Sequence, residues 1–110
     1  MLEKGLSARS AATVAAGNTA AAMGSGDLAV FATPAMVALM ENAAMTAVAP
    51  ELPEGSTTVG AEMNVTHIKP SGPGAEITAT AVLAEVEGMI GEGVHIRYVV
   101  DREKFMAKVK

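Results

Sequence analysis

Glu41 is the one ionisable residue between positions 32 and 50, in a run that reads ATPAMVALMENAAMTAVAP. A charge on so apolar a segment is costly unless it is paired, neutralised or used. His67 follows twenty-six residues later, in an alternating segment and in phase with its apolar side. A buried carboxylate and an inward-pointing imidazole are the raw material of acid–base chemistry, since either can move or polarise a proton. Two smaller residues accompany them: Thr33 stands eight positions before Glu41, and Gly60 seven before His67. Taken singly, each has a plain structural reading. Thr33 suits a helix N-cap, and Gly60 a β-bulge or a point of close packing. Glu41 suits an ion pair with Lys or Arg at a subunit interface, and His67 a satisfied core histidine.

The elements that must position these side chains follow from the pattern. Residues 6–16 carry small residues in loose alternation and are expected as a strand. MGSGD at 23–27 is expected as a flexible loop. Thr33-Pro34 gives a helix start, with Thr33 as N-cap and Pro34 as the first helical residue, and the helix runs to about residue 48 before Pro50 ends it. It is apolar nearly all round, so it must be surrounded. Residues 57–68 alternate, with Val59, Ala61, Met63, Val65 and His67 on one face and Thr58, Gly60, Glu62, Asn64 and Thr66 on the other. Pro70, Gly72, Pro73 and Gly74 make a turn. A single strand is expected over 75–87, with Ile77, Ala79, Ala81 and Leu83 or their neighbours inward, and a last strand over 90–100. On that last strand Ile90, Val94, Ile96, Tyr98 and Val100 share one face; Gly91, Gly93, His95 and Arg97 share the sparser one, with His95 structural. Residues 101–110 read as a polar tail. One helix among strands gives an α+β domain over 1–110, an antiparallel sheet wrapped around one long helix. Eight helical residues span about 12 Å, so Thr33 and Glu41 of one chain cannot share a hydrogen bond. They act at different ends of a substrate, or their partners come from two subunits.

Composition narrows the function. The net charge is −4 with no Lys/Arg cluster, which argues against nucleic acid. No run approaches the roughly 20 apolar residues of a membrane span. Gly17, Asn18 and Thr19 interrupt the Ala-rich stretch that could pass for a signal peptide. Absence of cysteine removes disulfides and thiolate chemistry and is compatible with a reducing cytoplasm, the expected location. Two histidines, His67 and His95, are too few for a metal site, and no cofactor is expected.

Three blocks, GSGDLAVFATPAMVALMENAA, LPEGSTTVGAEMNVTHIKP and IGEGVHIRYVVDREKFMAKV, resemble the hotdog-fold thioesterases of the fluoroacetyl-CoA thioesterase-like family. The resemblance implies a hotdog homodimer that hydrolyses a small acyl-CoA thioester at the subunit interface. By the same resemblance the catalytic residues fall on Thr33, Glu41 and His67, and a glycine near the substrate carbonyl falls on Gly60. The aromatic lid residue associated with fluoroacetyl selectivity falls near Asp27, so fluoroacetyl-CoA is not the implied substrate. Phe31 supplies one aromatic beside the helix start. A non-catalytic acyl-CoA-binding module is the alternative. The family continues after the AEVEG-like segment with a further strand of roughly fourteen residues, whereas here Gly88 runs directly into Met89-Ile90; losing one strand of an antiparallel meander reverses the next. Either a segment is lacking or the last strand pairs elsewhere, for instance with another chain.

Overall fold

A computed structural model describes residues 2, 5–82, 85–88 and 91–109, and their side chains except those of 85–88, 91–96 and 98. The faces expected for Leu83, Ile90, Val94, His95, Ile96 and Tyr98 lie outside the described residues. The element order is β1 (Ser7–Thr13), α1 (Ala20–Met23), α2 (Thr33–Val48), a 3₁₀ turn (Ala49–Glu51), β2 (Ser56–His67), β3 (Glu76–Val82), β4 (Glu85–Gly88), β5 (Gly91–Asp101) and α3 (Arg102–Lys108). Strands β1, β3 and β4 form one antiparallel sheet in that order, and β2 pairs antiparallel with β5.

Helix α2 begins as Thr33-Pro34 predicts, with one difference at its cap. The N-cap is Ala32, in extended conformation and with no side-chain cap bond, and Thr33 is the first helical residue. Pro34 fits the first turn, where its missing N–H would have no partner in any case. The helix buries Met36, Met40, Ala43 and Ala47, a stripe at spacings of four, three and four that follows the 3.6-residue turn. The stripe packs with Val14, Phe31 and the alternating Ile77, Ala79 and Ala81 of β3. Small residues on β3 let the helix lie close. The expectation that the helix is surrounded holds for this stripe alone within one chain: Ala38, Asn42, Met45 and Thr46 are exposed.

Four further expectations change. The strand read over 75–87 is two, β3 and β4, which pair antiparallel from Ala79 opposite Gly88 to Val82 opposite Glu85. The apolar alternation on Ile77, Ala79 and Ala81 gives way to Val86 between Glu85 and Glu87, a change of phase that accompanies the break into two strands. Four residues thereby stand in for the strand that seemed lost. Strand β5 starts three positions after β4 ends and pairs along all of β2 within the same chain, from Ser56 opposite Asp101 to His67 opposite Gly91. The last strand therefore needs neither a crossover nor a second chain.

The strict alternation expected over 57–68 breaks at a register shift between Gly60 and Glu62. The extra residue of a bulge changes the phase. Thr58, expected on the polar face, is buried, while Val59 is only half-buried. The tail read as merely polar forms α3, capped by Asp101 Oδ1, which accepts from the Lys104 N–H at 3.0 Å. Glu103 in its first turn and Lys108 in its last complement the helix dipole. No helix among the described residues is long and apolar enough to cross a membrane.

Candidate active site

Freed from capping its own helix, the Thr33 hydroxyl meets His67. Thr33 Oγ1 and His67 Nδ1 lie 2.8 Å apart. The hydroxyl donates when the ring carries its proton on Nε2, and accepts when the proton is on Nδ1. Two elements make this contact: the first turn of α2 and the last residue of β2. His67 Nε2 is buried and has no hydrogen-bond partner among the described residues. Buried polar atoms are nearly always satisfied, so such an atom in a native fold marks a place where something else binds or reacts.

Glu41 stands two turns further along α2 and meets a different partner. Its carboxylate accepts from Arg97 Nη1 at 3.4 Å. Arg97 is also held by Thr58, donating from Nε to the hydroxyl at 2.8 Å and from Nη2 to the carbonyl at 3.0 Å. The two side chains are unequally sheltered: Arg97 is 14% exposed and Glu41 39%. The carboxylate is thus paired and partly open within one chain, where the sequence pattern suggested burial. Gly60 lies between the two groups along β2, opposite Arg97 and at the bulge, with its backbone exposed.

The structure therefore joins Thr33 to His67 and pairs Glu41 with Arg97. A rise of about 12 Å along α2 separates the two clusters. Phe31, expected beside the substrate, is 2% exposed and belongs to the core, packed in the cluster of Met36 and Met40. It supports the floor of the helix start and does not present its ring to the surface. Arg97 is the residue that sequence reasoning missed. Its position on the sparse face of β5, together with a glycine inside the paired strand, was the available signal. The side chain of His95 lies outside the described residues. Among the described residues no group of three His, Cys, Asp or Glu could hold a metal ion.

The family of fluoroacetyl-CoA-specific thioesterases matches residues 14–89 of this chain. A fluoroacetyl-CoA thioesterase from Streptantibioticus cattleyicolor is 42% identical over 95 residues, covering 74% of this chain and 68% of its own length. A solved fluoroacetyl-CoA thioesterase structure, 32% identical, superposes with a TM-score of 0.87 over 98% of this chain and 95% of its own. A hot-dog-like protein from Thermanaerovibrio acidaminovorans shares the fold at 21% identity, with a TM-score of 0.84 over 97% of this chain and 90% of its own. An α+β architecture around one long helix, a threonine and a histidine in contact and a matched sequence over most of the chain converge: this chain belongs to the fluoroacetyl-CoA-specific thioesterase family, on the hotdog fold.

Proposed function

We propose that this thioester hydrolase acts on a small acyl-CoA ester, with Thr33, His67, Glu41 and Gly60 as its working residues. In the reaction water adds to the thioester carbonyl carbon, the C–S bond breaks, and the departing CoA thiolate takes a proton. Thr33 and His67 polarise the reacting groups and move the proton. Glu41 deprotonates the water or attacks the carbonyl itself. The backbone at Gly60, beside a bulge and without a Cβ, suits a donor for the developing oxyanion. Phe31 contributes only through the wall it underpins. CoA is the leaving group; no cofactor enters the scheme.

The observation that carries this reading is the Thr33–His67 contact with a buried, unpartnered Nε2 beside it. Its incompleteness within one chain supports a homodimer. Strand β2 pairs on one edge with β5, and no described strand lies on its other edge. A long open edge calls for cover. Antiparallel pairing of β2 with a second copy, about a dyad near its middle, sets His67 of one chain beside Thr58 of the other. The partner's Glu41, near its own Thr58 through Arg97, then approaches the Thr33–His67 pair. A cytoplasmic location, where acyl-CoA esters are made and used, completes the reading.

The test is thiol release from a panel of short acyl-CoA esters, with Glu41→Ala beside the parent. Release by the parent and a loss of about 10²–10⁴-fold in the variant are expected. Equal turnover by the two would remove Glu41 from the mechanism. A second reading, a binding module without catalysis, draws on the Glu41–Arg97 ion pair, which occupies the carboxylate. It requires saturable acyl-CoA binding with no thiol released by the parent.

A further inference from the structure

The reading of Thr33 as a working residue raises the question of what fixes its hydroxyl, since the helix N-terminus has no side-chain cap. A ring of backbone hydrogen bonds closes around that point. The Ala32 N–H donates to the Asn18 carbonyl at 2.9 Å, and the Phe31 N–H to the Ser71 carbonyl at 2.8 Å. Asn18 follows β1, and Ser71 follows His67 by four residues. The two sides meet again at Val14, whose N–H donates to the Ala75 carbonyl and whose carbonyl accepts from the Gly74 N–H, both at 2.8 Å. Gly74 makes that return at φ +91°, a conformation that other residues adopt at a cost.

Asn18 closes the turn on the β1 side. Its Oδ1 accepts from the Ala15 N–H at 2.8 Å, and its Nδ2 donates to the Thr13 carbonyl at 3.0 Å. Its own N–H donates to the Ala15 carbonyl at 3.2 Å. An amide side chain carries acceptor and donor on two separate atoms, as these two bonds require. Of the residues in this turn, Asn18 alone connects through its own carbonyl to Ala32, the residue that sets the position of Thr33.

We infer that Asn18 is a positioning residue for the reaction, holding the Thr33 hydroxyl against His67 by fixing the carbonyl to which Ala32 is tied. This inference rests on the role proposed for Thr33. It acts through geometry: a small misplacement of a reacting group costs far more in rate than in binding.

The experiment is a double-mutant cycle on thiol release by the full chain, normalised to folded protein. Asn18→Ala is expected to lower kcat about 10- to 100-fold with KM within about twofold of the parent. In a Thr33→Val background the same change is expected to cost no more than about twofold, because the group it positions is already gone. Asn18→Asp keeps the acceptor and loses the donor to the Thr13 carbonyl, so it reports the same effect if the alanine variant does not fold. Parent kcat in the folded Asn18→Asp or Asn18→Ala protein, with Thr33→Val impaired, overturns the positioning role alone. Additive losses in the cycle also overturn it, since they describe a generally weakened fold. A silent Thr33→Val overturns both this inference and the role assigned to Thr33.

Discussion

At one end of the first three turns of α2 a hydroxyl meets an imidazole, held by backbone on both sides; at the other a carboxylate meets a guanidinium that Thr58 anchors. The first contact is 2.8 Å and is framed by the bonds from Ala32 to Asn18 and from Phe31 to Ser71. The second is 3.4 Å, with the arginine anchored on the Thr58 hydroxyl and carbonyl and the glutamate 39% exposed. A backbone frame fixes geometry at little entropic cost when a ligand arrives, whereas a partly exposed ion pair is weak and exchangeable. The Thr33–His67 end is therefore preorganised, and the Glu41–Arg97 end can trade partners. That division suits a site whose rigid half comes from one chain and whose acidic half comes from another.

The sharpest way to break this comparison is to inactivate the two ends in separate chains and mix them. The Thr33→Val and Glu41→Ala proteins are each expected to lose thiol release, the latter by about 10²–10⁴-fold. After co-refolding, random pairing restores one intact site in each mixed dimer, or about one quarter of parent activity. No recovery on mixing would place the whole site within one chain.

Met40 lies beneath both ends, buried on the stripe next to Glu41. Met40→Ala is expected to lower stability by about 2–5 kcal/mol in urea unfolding, through lost transfer energy and a residual cavity. Arg97→Ala addresses the exchangeable end. It leaves the buried Thr58 hydroxyl and carbonyl without their arginine partner, an expected loss of about 1–3 kcal/mol by the same measurement. A stability loss for Arg97→Ala as large as that for Met40→Ala would mean that the ion pair is a rigid support after all. Smallest is Asp101→Ala, which removes the α3 cap without touching either pair; about 1 kcal/mol in stability and unchanged turnover are expected.

Much of this arrangement was legible in the chain because it rests on residue type against background. Glu41 stands out in an apolar run, and the alternation carrying His67 is regular after the bulge. The Thr33-Pro34 start is chemically explicit, yet it concealed the more informative fact, that the hydroxyl leaves its helix for His67. Local sequence favours the cap; only the position of β2 offers the alternative partner. Arg97 was hidden for a related reason. A period-two pattern cannot show where a strand slips by one residue, and the slip at Gly60 decides that Thr58 turns toward the arginine. The glycine was the visible trace of it. Phe31 looked available as an aromatic beside the site, but its burial depends on Ile77 and Ala79 arriving from β3, a tertiary event without local signal. The split of β3 and β4 did leave a trace, the change of phase between Ala81 and Val86, which a single-strand reading passes over.

The β1–β3 ladder joins residues 63 to 75 positions apart, from Thr13 with Glu76 to Ser7 with Val82. Everything that builds the Thr33–His67 contact lies inside the loop which that ladder closes. In folding, closure of so long a loop precedes its reward, and contacts of high sequence separation form slowly. Helix α2 can form early and locally, but the hydroxyl on its first turn acquires its neighbour only when the two distant strands have met. Assembly of the Thr33–His67 pair is thus a late event, timed by the topology that encloses it.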